Sequence, residues 1–434
     1  MTTLFFKKII TLLLEFEATM VLRKYKPKIV AITGSVGKTS TKDAIYNVLA
    51  SVFFVRKSAK SFNSEIGIPL TILGVENGWR NPITWAQNLL SGLVLILFPS
   101  HYPKWLVLEV GADRPKDIKK ITKWLKPDIV VLTRLGEVPV HVEFFDSPEE
   151  VVKEKGYLVK ALHDSGTLIY NGDDKNCVAL RHSFGGRAIS YGFNTDNAII
   201  ASHDSIFFEE EKKRKIPGGM IFKVDHKGTS IPVKIPGVLG HQHIYPTLAA
   251  IAVGISQNLP LLPIAQNVAS GTPASGRMRL LFGINETVII DDTYNSSPVA
   301  LHEALATLAK LEVTGRKIAV LGDMMELGKY STEEHRNAGK YASEVCDLLI
   351  TVGIRAHLIE AGALKKRIGK RKIAHFEDAI SAGEYLKTIL KVGDVILVKG
   401  SQSMRMERVV EALMQHPKEK EKLLVRQEEE WLKR

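Results

Sequence analysis

The chain has 434 residues, 45% of them apolar and 24% charged, with a formal net charge of +12 and two cysteines. That length allows two or three domains with separate cores and the composition excludes extensive disorder, while Cys177 and Cys346 supply neither a disulfide framework nor a zinc site, which fits a reducing cytoplasm. Lysines and arginines are dispersed among acidic residues and no arginine-rich block interleaved with aromatics stands out, so no nucleic acid is expected and nucleotide substrates account for the positive charge.

Residues 4–22 are the first apolar stretch, interrupted by Lys7, Lys8, Glu15 and Glu17. Those charges are costly in a spanning helix, and without a small-residue cleavage site the stretch is a poor signal peptide. A second stretch, residues 89–98, has about half the length of a bilayer span. Both are expected to be buried helices, with a peripheral membrane or partner-protein contact through residues 4–22 as the alternative. No integral membrane protein is expected.

Residues 28–33 (Lys-Ile-Val-Ala-Ile-Thr) read as a buried strand, followed by a glycine turn and a helix over 38–49. Further strands are expected at 105–110, 129–133, 167–171, 288–291, 317–321, 348–352 and 394–398. Helices are expected over 300–311, 332–346, 379–390 and 404–414. Strands alternating with helices indicate an α/β protein with mostly parallel sheets covered on both faces. Between 187 and 238 the short alternating runs and glycine pairs indicate a β-rich excursion within the first domain. Residues 270–276 (Ser-Gly-Thr-Pro-Ala-Ser-Gly) mark a hinge or boundary, and 417–434 read as a charged helical extension.

The sharpest motif is Thr33-Gly34-Ser35-Val36-Gly37-Lys38-Thr39-Ser40-Thr41, between the first strand and the first α/β helix. Glycines let backbone amides turn onto phosphate oxygens, and the helix N-terminus adds positive potential. Lys38 would reach the terminal phosphates and the Thr39 hydroxyl would hold Mg²⁺. The loop is shorter than the common P-loop, with Ile32 standing where the extra glycine would be. A phosphate loop alone leaves kinase, GTPase, motor and ligase open.

Further motifs follow in order: Asn63-Ser64-Glu65-Ile66-Gly67, Leu108-Glu109-Val110-Gly111-Ala112, His141-Val142-Glu143, Lys153-Glu154-Lys155-Gly156 and Asn171-Gly172-Asp173-Asp174. The second half carries Gly276-Arg277, Asp291-Asp292-Thr293-Tyr294-Asn295, Gly322-Asp323-Met324-Met325-Glu326 with His335, and Lys399-Gly400-Ser401. This succession resembles the Mur ligase family, in particular the branch that adds D-alanyl-D-alanine to a peptidoglycan precursor. The match runs from about residue 29 to 413. It implies a P-loop central ATPase domain at 28–274 and a C-terminal Rossmann-like α/β domain at 275–418, flanked by an apolar helix at 1–27 and a tail at 419–434. Two departures stand out. Residues 1–27 leave no room for the uridine-nucleotide-binding domain that normally precedes the first strand. In Gly240-His241-Gln242-His243-Ile244-Tyr245-Pro246, His243 and Pro246 replace the asparagines of the family's adenine-side motif.

The resemblance implies ATP, two Mg²⁺ ions, and two small-molecule substrates, a nucleotide-linked peptide and a dipeptide. A carboxylate becomes an acyl phosphate, which an amine then attacks; both steps develop charge that metal and cationic groups must neutralise. By that resemblance Gly34, Ser35, Gly37, Lys38, Thr39 and Ser40 cradle ATP. Thr39 and Glu109 hold the first Mg²⁺, and His141 holds the second with a carbamylated Lys155, Lys153 being the competing lysine. Arg277 contacts the phosphates and Asp292 the ribose, with Tyr294, Asn295 and His243 on the same nucleotide. Asn63, Asp323, Glu326, Lys399 and Ser401 are substrate-side candidates. Several have a plainer alternative: Glu109, Asp291 and Asp292 as helix caps, His141 as a loop histidine, Asp323 and Glu326 as turn residues, His335 as a structural histidine. Different carboxylate acceptors, lipid-linked or shortened, and a silent ATP-binding scaffold are the competing functions.

Overall fold

The structure, a computed structural model, describes residues 2–59, 62–79, 81–136, 142–211, 214–269, 271, 273–365 and 372–432. The chain divides into two compact units, one of residues 1–202, 223–231 and 245–271, the other of residues 203–222, 232–244 and 272–434.

The first nine strands are β1 (Lys28–Thr33), β2 (Val55–Lys57), β3 (Trp105–Glu109), β4 (Ile129–Leu132), β5 (Thr167–Asn171), β6 (Arg187–Gly192), β7 (Ile199–Glu211), β8 (Arg214–His226) and β9 (Thr229–Pro236). They form one sheet in the order β2-β3-β1-β4-β5-β6-β7-β8-β9. The ladders from β2 to β6 are parallel. β3 and β4 are buried at every position, the uninterrupted apolar run of a strand covered on both faces. The order β3-β1-β4 fixes the site. Ile32, at the end of β1, lies opposite Glu109, and Thr33 lies opposite Leu132, so the loop leaving β1 emerges between the ends of its two neighbours.

The helices of this part are α1 (Thr2–Tyr25), α2 (Lys38–Ala50), α3 (Gly67–Leu73), α4 (Pro82–Leu97), α5 (Asp117–Ile121), α6 (Pro148–Lys160), α7 (Lys175–His182), α8 (His241–Ser256) and α9 (Leu261–Ala269). The two apolar stretches are helical, but they are not buried helices. On α1, Ile10, Leu14, Ala18 and Val21 are buried, while Ile9, Leu12, Leu13 and Phe16 face outward. On α4, Trp85, Asn88 and Gly92 are buried, while Ile83, Leu90, Val94 and Leu97 face outward. The expectation failed because an apolar sequence reports no direction: only packing decides which stripe is covered. Where the helices meet, Glu17 is buried with no hydrogen-bond partner for Oε2, and burial lifts its carboxyl to about 7. Gly92 is the neighbour that makes room for it, since a Cβ there would lie 2.0 Å from Glu17 Oε2.

The second sheet is built from β10 (Arg279–Gly283), β11 (Thr287–Asp292), β12 (Lys317–Gly322), β13 (Leu348–Val352), β14 (Ile373–Phe376) and β15 (Val395–Lys399), in the order β10-β11-β15-β12-β13-β14. β10 runs antiparallel to β11 and the remaining ladders are parallel. Helices α10 (Pro298–Ala309), α11 (Ser331–Val345), α12 (His357–Leu364) and α13 (Ala379–Ile389) connect successive strands from β11 on, and α14 (Glu407–Leu413) follows β15, the alternation of a doubly wound fold. α10 starts where the sequence provides for it: Ser297 caps the Ala300 amide and Pro298 occupies the first helical turn.

The charged tail is not a helical extension. Among the described residues it comprises separate short pieces, a 3-10 turn at Pro417–Glu419 and single helical turns at Lys420–Leu423 and Glu429–Leu432. Buried Arg426 ties it down, donating to Glu407 Oε2 at 2.6 Å and to the carbonyls of Thr293 (2.6 Å) and Tyr294 (2.9 Å). Glu407 also accepts from Arg405 Nε at 2.6 Å. Tertiary ion pairing overrode helix propensity there, and it anchors the segment that follows β11.

Candidate functional site

The phosphate loop is the centre of the first unit. Gly37 precedes α2 at φ +86°, a left-handed conformation that glycine adopts without strain. A Cβ on Gly34 would lie 1.9 Å from Thr133 Oγ1, so the loop packs directly on the end of β4. The amides of Ser35 and Val36 donate to the Arg134 carbonyl at 2.8 and 3.1 Å. These two loop amides therefore brace the loop against the segment after β4 instead of turning inward. Lys38, Thr39 and Ser40 open α2 ahead of its first intrahelical bond, from the Thr41 amide to the Gly37 carbonyl, and this is the helix end that attracts anions. The Lys38 ammonium lies 2.8 Å from the Gly34 carbonyl.

Around this loop three predicted residues converge. Thr39 Oγ1 donates to Glu109 Oε2 at 2.9 Å, and Asn63 Nδ2 to Glu109 Oε1 at 3.3 Å. Glu109 is buried at the end of β3, not at a helix start, so it is no cap. Its two oxygens face a hydroxyl and an amide. Two oxygens 2.9 Å apart match adjacent corners of an Mg²⁺ octahedron, whose ligands at 2.0–2.1 Å stand about 3 Å from each other. Thr39 and Glu109 are thus a fitting hard-oxygen pair. Asn63 also lines a cleft of about 310 Å³ with Ser64, Gly111, Asp113, Arg114 and Lys120, so one side chain links the Glu109 carboxylate to an open cleft.

Lys155 lies on α6, buried, with its amine donating to Ser35 Oγ at 3.0 Å. Burial, and after it the neighbouring Lys38 charge, lowers its pKa to about 7. Lys153 is exposed on the same helix; a half-turn separates the lysine that faces the loop from the one that faces water. His141 lies outside the described residues.

A sequence reading passed over what orients the loop's neighbours. Asp174 accepts from the amides of Leu135, Gly136, Asn176 and Cys177. It caps α7 and fixes the strand-end segment on which Ser35 and Val36 rest. Asp173 accepts from the amides of Phe193 and Asn194, from Asn197 and from the Tyr245 hydroxyl. The Asn-Gly-Asp-Asp string was visible; that each carboxylate serves several amides was not.

In the second unit the predicted residues gather at the C-terminal ends of β11, β12 and β15. Asp292 and Lys399 are opposite in register and joined by a 2.6 Å ion pair, both side chains largely shielded from solvent. Lys399 also donates to the Asn295 carbonyl at 2.8 Å. Asp291 is the structural member of the pair: fully buried, it accepts from the amides of Gly276 and Thr293 and from the Thr293 hydroxyl, and burial raises it to about 6. The Arg277 guanidinium lies 4.0 Å over the Tyr294 ring, a cation–π stack. His243 is buried with its Nε2 donating to the Arg277 carbonyl at 2.7 Å, and burial lowers its pKa to about 4, so it braces the arginine's backbone as a neutral ring. Asp323 caps α12 through the Ala356 amide at 2.7 Å, and its carbonyl accepts from the Ser401 amide. Ser401 Oγ accepts from the Met325 amide. Glu326 sits in a left-handed turn at φ +63°. His335 accepts from the Met324 amide at Nε2 and donates to the Ser331 carbonyl from Nδ1, the structural role.

The chain as a whole has known counterparts. Residues 32–254 match the model of the Mur ligase middle domain, and residues 276–402 that of the Mur ligase glutamate ligase domain. The chain belongs to the Mur ligase family. It is 29% identical to the UDP-N-acetylmuramoyl-tripeptide–D-alanyl-D-alanine ligase of Bacillus subtilis over 406 residues, covering 93% of this chain and 79% of that one. With the enzyme of the same name from Escherichia coli it shares 27% over 410 residues, 92% and 79% of the two chains. The crystal structure of MurF ligase from Thermotoga maritima in complex with ADP aligns at a TM-score of 0.76 and 26% identity, over 95% of this chain and 84% of that chain. As a Mur ligase, the chain carries its phosphate loop within the middle-domain match and its Asp292–Lys399 pair within the C-terminal match.

Proposed function

We propose that this Mur ligase is an ATP-dependent, ADP-forming ligase that joins D-alanyl-D-alanine to a UDP-linked muramoyl peptide through an acyl phosphate. The observation that carries the reading is the convergence of Thr39, Glu109, Asn63 and Lys155 on one phosphate loop. The names of the relatives supply the substrates. The functional domains are 28–274 for ATP and 275–418 for the second α/β part.

Lys38 stabilises the transferring phosphoryl group, with Gly34, Ser35, Gly37 and Ser40 shaping the loop around it. Bound Mg²⁺ supplies charge neutralisation and orients phosphate oxygens. Thr39 and Glu109 would hold the first ion, and a carbamylated Lys155 with His141 the second. Carbon dioxide adds only to a neutral amine. Near pH 7.5, a lysine titrating at about 7 is mostly neutral, whereas an ordinary one is neutral about one part in a thousand. Arg277 contacts the phosphates, and Asp292, Tyr294, Asn295 and His243 form the nucleoside side. Asn63, Asp323, Glu326, Lys399 and Ser401 orient the carboxylate and amine substrates.

The test is incubation of the purified protein with ATP, Mg²⁺, bicarbonate, D-Ala-D-Ala and UDP-linked muramoyl tripeptide, following phosphate release and product mass. A product heavier by one dipeptide unit, abolished in Lys155→Ala, supports the reading; ATP turnover without that product redirects it to another carboxylate acceptor. The outward apolar faces of α1 and α4 favour a lipid-linked one.

A further inference from the structure

α1 and α4 lie side by side. Glu17 sits against Gly92, and the Lys24 ammonium donates to the carbonyls of Leu95, Ile96 and Phe98 at the end of α4. Each helix turns a helical-period stripe of large apolar side chains to solvent: Leu12, Leu13 and Phe16 on α1, Leu90, Val94 and Leu97 on α4. Phe16 is 61% exposed and Leu97 69%. Scattered surface leucines need no explanation, but neighbouring stripes on two adjoining helices do.

Charge identifies the occupant. α4 contains no charged residue. On α1 the two acids are withdrawn, Glu17 buried and Glu15 half-buried. Exposed Lys8 lies near one end of α1, and exposed Arg23, Lys24, Lys26 and Lys28 lie at or beyond the other, with exposed Lys104 beside Lys28. An apolar face with cations at both ends of α1, and a cation-rich cluster where α1 and α4 end together, is the pattern of helices that lie in a membrane interface. A second copy of this face would set cations against cations, whereas anionic headgroups complement them. No helix among the described residues is long and apolar enough to cross a membrane.

We propose that the α1–α4 face docks on an anionic phospholipid bilayer, the two apolar stripes seating among the acyl-chain boundaries and the flanking lysines and arginines meeting the headgroups. The attachment is independent of which carboxylate the ligase takes. It holds the first unit at the lipid surface.

Flotation of the full chain with vesicles of phosphatidylcholine alone, or with roughly one quarter phosphatidylglycerol, tests it. The wild type floats with the anionic vesicles, less so at high salt. The triple variant Phe16→Glu, Leu90→Glu, Leu97→Glu loses at least about tenfold of that binding. These positions are exposed, so the variant keeps its melting temperature and its ATP affinity, which separates docking from ligase chemistry. A second variant, Arg23→Glu with Lys26→Glu, reduces binding to anionic vesicles while leaving the apolar stripes intact. Absence of wild-type flotation overturns the proposal, whether the protein is a monomer or a dimer that the triple variant dissolves. So does unchanged flotation of the triple variant.

Discussion

Replacing Lys155 by methionine should raise stability while removing activity. The buried amine titrates at about 7 instead of 10.5. Near pH 7.5 the unfolded lysine is charged and the folded one mostly neutral, so folding must release a proton. Three pH units at 1.36 kcal/mol each make that cost about 4 kcal/mol. Methionine has similar length and no charge, and forfeits only the hydrogen bond to Ser35, worth about 1 kcal/mol. In buffer free of CO₂, K155M should therefore resist urea by about 2–3 kcal/mol more than the wild type. The sign follows from proton binding. Between 10.5 and about 7 the unfolded state holds the extra proton, so wild-type stability falls as pH is lowered through that window. The methionine variant lacks this slope, and the gap widens on acidification. Bicarbonate narrows the gap by modifying the wild-type lysine. Amide formation should fall by at least about 10²-fold, because an oxygen ligand is lost. Exposed Lys153→Met should leave activity intact and stability within about 0.5 kcal/mol. A K155M protein that is less stable across the whole window, or that retains turnover, would refute the reasoning.

Glu109→Gln keeps the side chain's shape and removes its charge, so ATP turnover should drop by about 10²–10³-fold with a raised Mg²⁺ requirement; a magnesium titration reads both. Glu17→Gln should stabilise the protein by about 1–3 kcal/mol above pH 7, because the Glu17 carboxyl, raised to about 7, costs stability as pH rises through the window above 4.5. Melting curves at low and high pH should converge at the acid end. Arg426→Ala leaves Glu407 facing only Arg405 and strips the Thr293 and Tyr294 carbonyls of a donor. It should cost about 3–5 kcal/mol in urea unfolding and raise the KM for ATP, since those carbonyls belong to the segment that carries Asp292, Tyr294 and Asn295.

The phosphate loop and the alternation of strands and helices were legible in the sequence because they are local. Glycine conformational freedom, a lysine and a hydroxyl at a helix start, and uninterrupted apolar runs such as Ile129–Leu132 each act within a few residues. Five expected strands begin or end within one residue of those observed, and the 28–33, 167–171 and 348–352 strands coincide with them. The roles of many charged groups were not legible, because burial and partners separated in sequence decide them. Lys155 and Lys153 differ only in which side of α6 meets the loop. Asp291 and Asp292 are neighbours in sequence, yet one is enclosed by amides and the other pairs with Lys399 from β15. The tail looked like a free charged helix until Arg426 found Glu407, and residues 4–22 looked like core until packing covered one stripe and left the other to solvent. Sequence by itself determined the nucleotide loop and the strands and helices around it, since hydrogen bonding and sterics act locally along the chain. Only the tertiary structure decided which ionisable groups lose their water, because desolvation depends on everything that packs around them.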